Sequence, residues 1–394
     1  MKKILVAALA LAFGGAWTAA QAADVSVYGT AEASINVQKF HGQSETVKLA
    51  TGDYFAARLG IRGKEDLGNG YKVRFTLENG FDSGTGETIA SFEKNSLFSR
   101  EASLGLITPY GEIGMGRFGS LSSGLGSYAL QYFASPYGNG FNELGFGNIF
   151  MFVPRTNNTI ALVTPNFDGL DFRVLYSNGF IDESTDGYGK STKYLGVGAK
   201  YVKGKFGGTV FYERMIWPDQ LRTADGGTPD DMQSITAAAN YKFDNGIKWY
   251  GGYQYYTDAR VNYGMRTASE GFPVWPQLTT GLGQKTVTKN GMEAHAFMTS
   301  VAIPLWGGRL MPGIGYVTGK DKARAGEPDY QRLVGGVAYE YPLSKSTLIW
   351  ASTQFSRGED LFDSKEKMSL APNADTYEDY FNSQSAIVGL VYRF

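Results

Sequence analysis

The sequence has no cysteine and only two histidines among its 394 residues. The missing thiols exclude a disulfide framework and a thiolate metal site. A hydrolase of the Ser-His-Asp type needs a nucleophile, a base and a group that orients the base. His41 and His295 are isolated and have no G-x-S-x-G motif beside them, and no spacing typical of metal ligands is present. The sequence therefore predicts neither catalysis nor a cofactor nor a bound metal.

Long hydrophobic runs are also missing, except at the start of the chain. Two lysines precede the apolar stretch Ile4–Trp17, and an A-x-A sequence follows at Ala20–Ala22, so we expect residues 1–22 to be a secretory signal peptide. No later run approaches the ~20 apolar residues of a membrane helix. The formal net charge is −1, and a near-neutral chain argues against nucleic acid as the main partner.

Glycine and aromatic residues, in contrast, are abundant, with 52 Gly, 25 Tyr and 25 Phe against 13 Pro. Tyr and Phe suit pleated strands and membrane interfaces. Counting back from the C-terminus, every second residue is apolar, and a period of two indicates a strand with one apolar face. A strand that ends in an aromatic residue is typical of the last strand of an outer-membrane barrel. The residues expected to be recognised by the barrel-assembly machinery are Phe394, Tyr392 and Leu390.

Short and long connections alternate along the chain. Tight turns with Gly, Asn or Pro, which supply positive φ or mark strand ends, lie at residues 67–70, 109–111, 167–169, 203–205, 244–246, 306–308 and 342–344. Longer polar stretches lie between them, at about 38–53, 81–96, 120–154, 180–191, 217–232, 258–291, 318–329 and 357–382. Such an alternation joins sixteen strands and fits short periplasmic turns with long outer loops. We therefore predict an all-β protein, a 16-stranded antiparallel transmembrane barrel over 23–394, with a secreted β-sandwich or propeller as the alternative.

Alternation also predicts which side chains face the inside of the barrel. Between residues 71 and 78, the charged Lys72, Arg74 and Glu78 alternate with apolar residues. A Lys or Arg at the middle of the bilayer costs about 2–4 kcal/mol, so these charges should point inward, where they require water. Sixteen strands close a cylinder wide enough for an aqueous channel. A structural or adhesive barrel with a closed interior would need a plug-sized insertion or an apolar lumen, and the sequence predicts neither.

The longest connection, residues 120–154, is unusually aromatic for a loop. Its aromatic residues include Tyr128, Tyr132, Phe133 and Tyr137. Such a loop would be poorly solvated in water, so we expect it to fold inward and pack against the barrel interior. The alternative is packing on the barrel rim or on a neighbouring subunit.

Several motifs of this sequence resemble the general porins of β-proteobacteria and Neisseria. They are D-V-S-V-Y-G-T from Asp24, R-L-G-I-R-G-K-E-D-L-G-N-G from Arg58, G-R-F-G-S from Gly116, R-T-N-N-T-I from Arg155 and T-P-N-F-D-G-L from Thr164. The similarity runs from the signal peptide to the C-terminus, and the outer loops are the unmatched parts. The resemblance implies a homotrimer in the outer membrane of a Gram-negative bacterium, surrounded by lipid and lipopolysaccharide. It also implies that the third outer loop, 120–154, constricts each pore.

In that family, arginines on the barrel wall face acidic groups on the third loop. The matching positions here are Arg58, Arg100 and Arg155, and Arg62 shares the inner face of Arg58. Arg100 and the outward-facing Leu104 are separated by an even number of positions, so alternation places them on the same face. Arg100 therefore points inward only with a bulge or near the rim. Glu143 is the only acidic residue between positions 120 and 154. We therefore expect an excess of positive charge that favours anions, with a charged lining that imposes no selectivity as the alternative.

The predicted function is passive diffusion of small hydrophilic solutes and ions across the outer membrane. No reaction and no energy source are required. The alternative function is a substrate-selective pore of the same fold, for a sugar or an organic anion, because the aromatic residues of the third loop could stack against sugar rings.

Overall fold

The computed structural model describes residues 24–40, 44–88, 96–137, 144–145, 149–151, 153, 155–179, 191–219, 222–223, 225–259, 286–287, 289–322, 326–327, 329–360 and 382–394. The predicted signal peptide 1–22, His41 and Glu143 lie outside these residues. Within them, no helix is long and apolar enough to cross a membrane. A single turn of 3-10 helix spans Gln131–Phe133.

Nearly all regular structure in the described ranges is β-strand. The strands are β1 (Asp24–Phe40), β2 (Thr46–Ala50), β3 (Arg58–Gly68), β4 (Tyr71–Gly80), β5 (Glu101–Thr108), β6 (Gly111–Gly119), β7 (Arg155–Val163), β8 (Leu170–Ser177), β9 (Lys193–Lys203), β10 (Phe206–Ile216), β11 (Arg222–Thr223), β12 (Met232–Lys242), β13 (Lys248–Ala259), β14 (Thr286–Val287), β15 (Met292–Leu305), β16 (Gly308–Asp321), β17 (Asp329–Pro342), β18 (Thr347–Asp360) and β19 (Ser383–Arg393).

The strands form one closed antiparallel sheet. Apart from β2, β11 and β14, each strand pairs with the next of the remaining strands along the chain, and β19 pairs with β1 from Thr30↔Arg393 to Phe40↔Ser383, which closes the barrel. The first part of β1 pairs with β3 and the later part with β2, so β2 and β3 share one position in the sheet. The short strands β11 and β14 form a separate parallel pair. The sheet thus has sixteen strand positions, and the predicted fold class is confirmed.

The tight turns agree with the sequence pattern because the residues that adopt positive φ are those that tolerate it. Asn69 and Gly70, between β3 and β4, have φ values of 53° and 82°. Without a Cβ, glycine adopts this conformation at no steric cost, and asparagine tolerates it better than most residues. Each of the seven predicted turns joins two antiparallel strands of the barrel.

The two faces of the sheet differ in the way that the alternation predicts. On β19, Val388, Leu390 and Tyr392 are about half exposed, whereas Ile387 and Val391 are buried. The first group lies on the outer face and the second on the inner face. After β19, the Phe394 N–H donates to the carbonyl of Gly29 at 3.1 Å, which ties this end of the sheet to β1.

Candidate functional site

The third loop, residues 120–154 between β6 and β7, lies on the inner face of the barrel. The Tyr137 hydroxyl donates to the carbonyl of Met311 on β16 at 2.5 Å. The backbone N–H of Leu144 donates to Oε1 of Gln354 on β18 at 3.0 Å. Both wall residues are buried and alternate with outward-facing neighbours. The loop therefore reaches along the inner wall from β6 as far as β18.

The aromatic residues predicted to hold this loop inside the barrel are not equally buried. Tyr128, Phe133 and Tyr137 are at most 3% exposed, whereas Tyr132 is 44% exposed. The Tyr132 and Phe133 rings are adjacent, with centroids 4.5 Å apart. Three of the four aromatic residues thus anchor the loop to the wall, and Tyr132 keeps one face accessible.

Inward-facing glycines on the wall make room for the loop. A Cβ atom at Gly207 would lie 2.7 Å from the Phe133 ring, and one at Gly313 would lie 2.9 Å from the Tyr137 ring. Real Cβ atoms are rarely so close to a neighbour, so side chains at these positions would displace the loop. The same close approach occurs where other loop residues meet Gly198, Gly252 and Gly315. The glycines of β9, β10, β13 and β16 therefore form a seat for the loop.

The wall under the loop is largely apolar, with buried polar groups such as Glu213, whose Oε1 accepts from the backbone N–H of Ser122 at 3.1 Å. The buried inward-facing residues there include Phe211, Met215, Met298 and Val317. The loop covers these side chains and shields them from water.

Charged inward-facing residues lie on β3, β4 and the start of β5. They also form ion pairs on β8 and β9, where Asp171 binds Arg173 and Lys200, and on β16 and β17, where Arg309 binds Glu340.

Two arginines share one carboxylate on the wall of β3 to β5. Arg100 Nε lies 2.6 Å from Glu78 Oε1, and Arg58 Nε lies 3.8 Å from Glu78 Oε2. The Tyr28 hydroxyl also donates to Glu78 Oε2, at 2.9 Å. Two guanidinium groups against one carboxylate leave a local surplus of one positive charge.

Arg100 reaches this cluster because it is not part of a regular strand. It immediately precedes Glu101, the first residue of β5, and its backbone N–H donates to the carbonyl of Glu78 at 3.0 Å. Alternation along β5 therefore does not determine the direction of its side chain. The structure places Arg100 at the end of the strand and directs it inward.

The other two sequence-predicted arginines lie in different surroundings. Arg62 lies on β3, four residues after Arg58, with its guanidinium 4.8 Å from the Tyr28 ring centroid. Arg155 donates from Nη1 to the carbonyl of Leu125 at 3.0 Å and so contacts the start of the third loop. A register shift between β6 and β7 interrupts the alternation after Arg155. Alternation with the outward-facing Ile160 and Leu162 would direct Arg155 inward, but across this register shift alternation alone does not determine its direction. Glu143 lies outside the described residues.

Two wall carboxylates bind the start of the third loop, although neither is among the site residues predicted from the sequence. Glu101 Oε1 accepts from the Ser127 hydroxyl at 2.5 Å. Glu112 Oε1 accepts from the Tyr128 hydroxyl at 2.6 Å and from Arg74 Nε at 2.8 Å. Burial raises the pKa of Tyr128, so its hydroxyl stays protonated and remains a donor. The alternation of the sequence indicates that Glu101 and Glu112 point inward, but it does not indicate which loop residues they bind.

A second segment also enters the barrel. Residues 51–57, between β2 and β3, interrupt the second strand position; we call them the strand-two insert. Tyr54 and Ala57 of this insert are buried. The sequence pattern predicts a long outer loop over about 38–53 and gives no sign of an inward segment.

Among the described residues, no group of three or more His, Cys, Asp or Glu side chains could hold a metal ion. What the site offers is a water-accessible wall with clustered arginines, one inward loop and one inward insert. This arrangement can restrict passage by size and by charge.

Comparisons with known proteins agree with this architecture. Residues 6–361 match the family model described as Gram-negative porin. An outer membrane porin protein of Bordetella pertussis is 26% identical over 388 residues, covering 91% of this chain and 94% of the relative. Outer membrane porin protein 32 of Delftia acidovorans is 30% identical over 258 residues, covering 62% of this chain and 66% of the relative.

Solved structures support the fold. An anion-selective porin from Comamonas acidovorans matches with a TM-score of 0.64 at 20% identity, covering 94% of this chain and 100% of that chain. The outer membrane protein OmpT of Vibrio cholerae matches with a TM-score of 0.61 at 11% identity, covering 95% and 98%. The family is one of outer-membrane channels, not of enzymes, through which small hydrophilic solutes diffuse passively. This chain belongs to the Gram-negative porin family.

Proposed function

We propose that this outer-membrane channel is a general diffusion pore whose constriction favours small anions. The observation that carries the proposal is the pairing of Arg58 and Arg100 with a single carboxylate, Glu78. Fixed positive charge in a narrow, water-filled pore raises the local concentration of anions. The similarity in fold to the anion-selective porin from Comamonas acidovorans also supports a preference for anions.

The third loop contributes little opposing charge. Its sequence contains one acidic residue, Glu143. The wall carboxylates Glu101 and Glu112 accept hydrogen bonds from Ser127 and Tyr128, so they hold the loop in place.

Glu101 lies directly opposite Glu78, and Arg155 lies within electrostatic reach of both carboxylates. The three guanidinium groups of Arg58, Arg100 and Arg155 therefore outnumber the two carboxylates by one positive charge.

We further propose a homotrimer that is embedded among outer-membrane lipid and lipopolysaccharide. The C-terminal strand, with Leu390, Tyr392 and Phe394, would be the segment that the barrel-assembly machinery recognises. We propose no catalysis, since restriction by size and charge accounts for the arrangement of the pore-facing groups described here.

The second candidate function is a pore selective for a sugar or an organic anion. Tyr132 favours it, because this loop residue is 44% exposed beside the buried Phe133. An accessible aromatic face can stack against a sugar ring.

Two measurements on the purified protein test the proposal. In planar bilayers with a salt gradient, we expect a reversal potential of the sign given by anion preference, and a cation-selective potential would contradict it. In liposome swelling, a general pore gives rates that fall smoothly with sugar size. Saturation by one sugar would instead support the selective alternative.

A further inference from the structure

The strand-two insert crosses the inner face of four neighbouring strands. The Tyr54 hydroxyl donates to Glu340 on β17, and the Tyr54 ring lies 5.5 Å from the ring of Trp350 on β18. In the closed sheet, β1, β19 and β18 lie between the insert's own strand position and β17. The insert is therefore a folded element inside the barrel, in addition to the third loop.

Three inward-facing residues of β1 hold the insert in one conformation. The two carboxylate oxygens of Glu32 accept from the backbone N–H groups of Tyr54 and Phe55, at 2.8 Å and 2.7 Å. Asp53 Oδ2 accepts from the Ser34 hydroxyl at 2.7 Å and from Asn36 Nδ2 at 3.3 Å. This set of contacts fixes both the backbone of the insert at Tyr54 and Phe55 and the side chain of Asp53.

The insert and the third loop meet on the same wall. Tyr54 of the insert belongs to one continuous cluster of buried side chains with Tyr137 and Leu144 of the loop. Trp350 and Met311 on the wall complete this contact. Loop and insert together contact the inner wall from β6 round to β1, whereas the wall of β3 to β5 meets the start of the loop, at Arg74 and Glu101. This is the wall that carries Arg58, Arg62 and Glu78.

The exposed edge of the insert lies next to the arginines. Phe55 is half-buried, and the guanidinium of Arg393 lies 4.4 Å from its ring centroid. Thr30 pairs with Arg393 on one side and with Arg58 on the other. Directly opposite residues of an antiparallel pair share a face, so Arg393, Thr30 and Arg58 form an inward row. The edge of the insert thus combines an apolar ring with a cation beside Arg58.

We propose that the strand-two insert is a second constriction element, and that Phe55 and Arg393 are specificity-determining residues of the pore. Phe55 limits the open cross-section beside Arg58. Arg393 is held in position by the Phe55 ring through a cation–π contact and adds positive charge to the same wall. This inference rests on the proposed function as a diffusion pore.

The first test is the single-channel conductance of the full protein with Phe55→Ala. Removing the ring leaves the strands of the barrel intact and widens the path, so we expect conductance to rise on the order of 1.5-fold. Tyr110→Ala is the matched control, because Tyr110 is 83% exposed in the turn between β5 and β6 and should leave conductance unchanged. Equal conductance for Phe55→Ala and wild type would overturn the proposal.

A second variant keeps the proposal testable if the first assembles poorly. Glu32→Gln preserves side-chain volume but replaces one of the two acceptor oxygens with an amide NH2 group, which cannot accept from the Tyr54 or Phe55 N–H, and so releases the insert from β1. We expect brief current fluctuations that are absent from the wild type and from Tyr110→Ala. A steady current identical to that of the wild type would count against the proposal. A wild-type protein without any conductance would overturn the proposed function together with this inference, whereas a conducting wild type with unchanged variants would overturn the inference alone.

Discussion

At the scale of single residues, Glu78 sets how much positive charge its neighbours present to the pore. Its Oε1 lies 2.6 Å from Arg100 Nε. Its Oε2 accepts from the Tyr28 hydroxyl at 2.9 Å and lies 3.8 Å from Arg58 Nε. One carboxylate neutralises one guanidinium, so the other remains as surplus. The charge balance at this point therefore depends on a single arginine.

Replacing Arg100 with glutamine tests this balance directly. The amide keeps most of the side-chain length but removes one charge, which takes the local surplus near Glu78 from one to zero. We expect the anion-to-cation permeability ratio, taken from reversal potentials, to fall by about 2-fold. Lys203→Gln is the control, because Lys203 pairs with Asp168 in an exposed turn away from the cluster. A reversal potential that moves equally in both variants would argue against a local role for Arg100.

The same residues show what sequence alone could predict of the site. The inward direction of Arg58 follows from alternation with outward-facing Leu59 and Ile61, which are 48% and 38% exposed. The positions of Arg100 and Arg155 do not follow from alternation. One precedes its strand, and the other lies before an irregular register in which Asn158 adopts a φ of 48°. Alternation does not predict the direction of a side chain wherever the regular pairing of two strands is interrupted.

At the scale of elements, the third loop depends on the wall beneath it. Loop aromatic rings occupy space that side chains on β9, β10, β13 and β16 would otherwise fill. The sequence shows that the loop is aromatic and that glycines lie on the inner face of the strands. It does not show which aromatic ring contacts which glycine. That pairing depends on contacts over long sequence separations, such as Tyr137 with Met311.

Gly207→Ala tests whether the glycine seat holds the loop against the wall. The new methyl group would lie 2.7 Å from the Phe133 ring, and overpacking of this kind costs about 1–3 kcal/mol. We expect the loop to move toward the lumen, so that single-channel conductance falls and becomes noisier. The neighbouring Gly208→Ala is a matched control on the outer face, where the methyl would meet the movable end of the Phe206 ring at 3.0 Å. Lower conductance in Gly208→Ala alone would contradict this account.

The strand-two insert shows the limit of prediction for elements. Turn residues and alternation predict where strands begin and end, and they placed the seven tight turns correctly. The seven residues that interrupt the second strand position show no regular alternation of apolar and polar residues, so the sequence does not predict their structure. Its direction depends on Glu32, Ser34 and Asn36 of β1, whose buried oxygens and amide bind the insert.

At the scale of the whole molecule, closure of the sheet brings distant segments to one place. Pairing of β19 with β1 puts Arg393 two strands from Arg58, although they lie at opposite ends of the chain. The loop and the insert pack against the apolar part of the wall, and the wall of β3 to β5 carries the arginines around Glu78. One side of the barrel wall therefore anchors the constriction, and the other side provides the electric field of the pore.

If this field comes from fixed charges in open water, the anion preference must depend on salt. The Debye length falls from about 10 Å at 0.1 M to about 3 Å at 1 M ionic strength. We expect the anion-to-cation permeability ratio of the wild type to approach one as mean salt rises over this range, because more of the pore cross-section lies beyond the reach of the arginines. Arg100→Gln should show a weaker salt dependence, and the swelling rate of liposomes in a neutral sugar should not change. A ratio that stays constant across the range would instead indicate that anions shed water at a tight binding site, and the diffuse-field explanation would then be wrong.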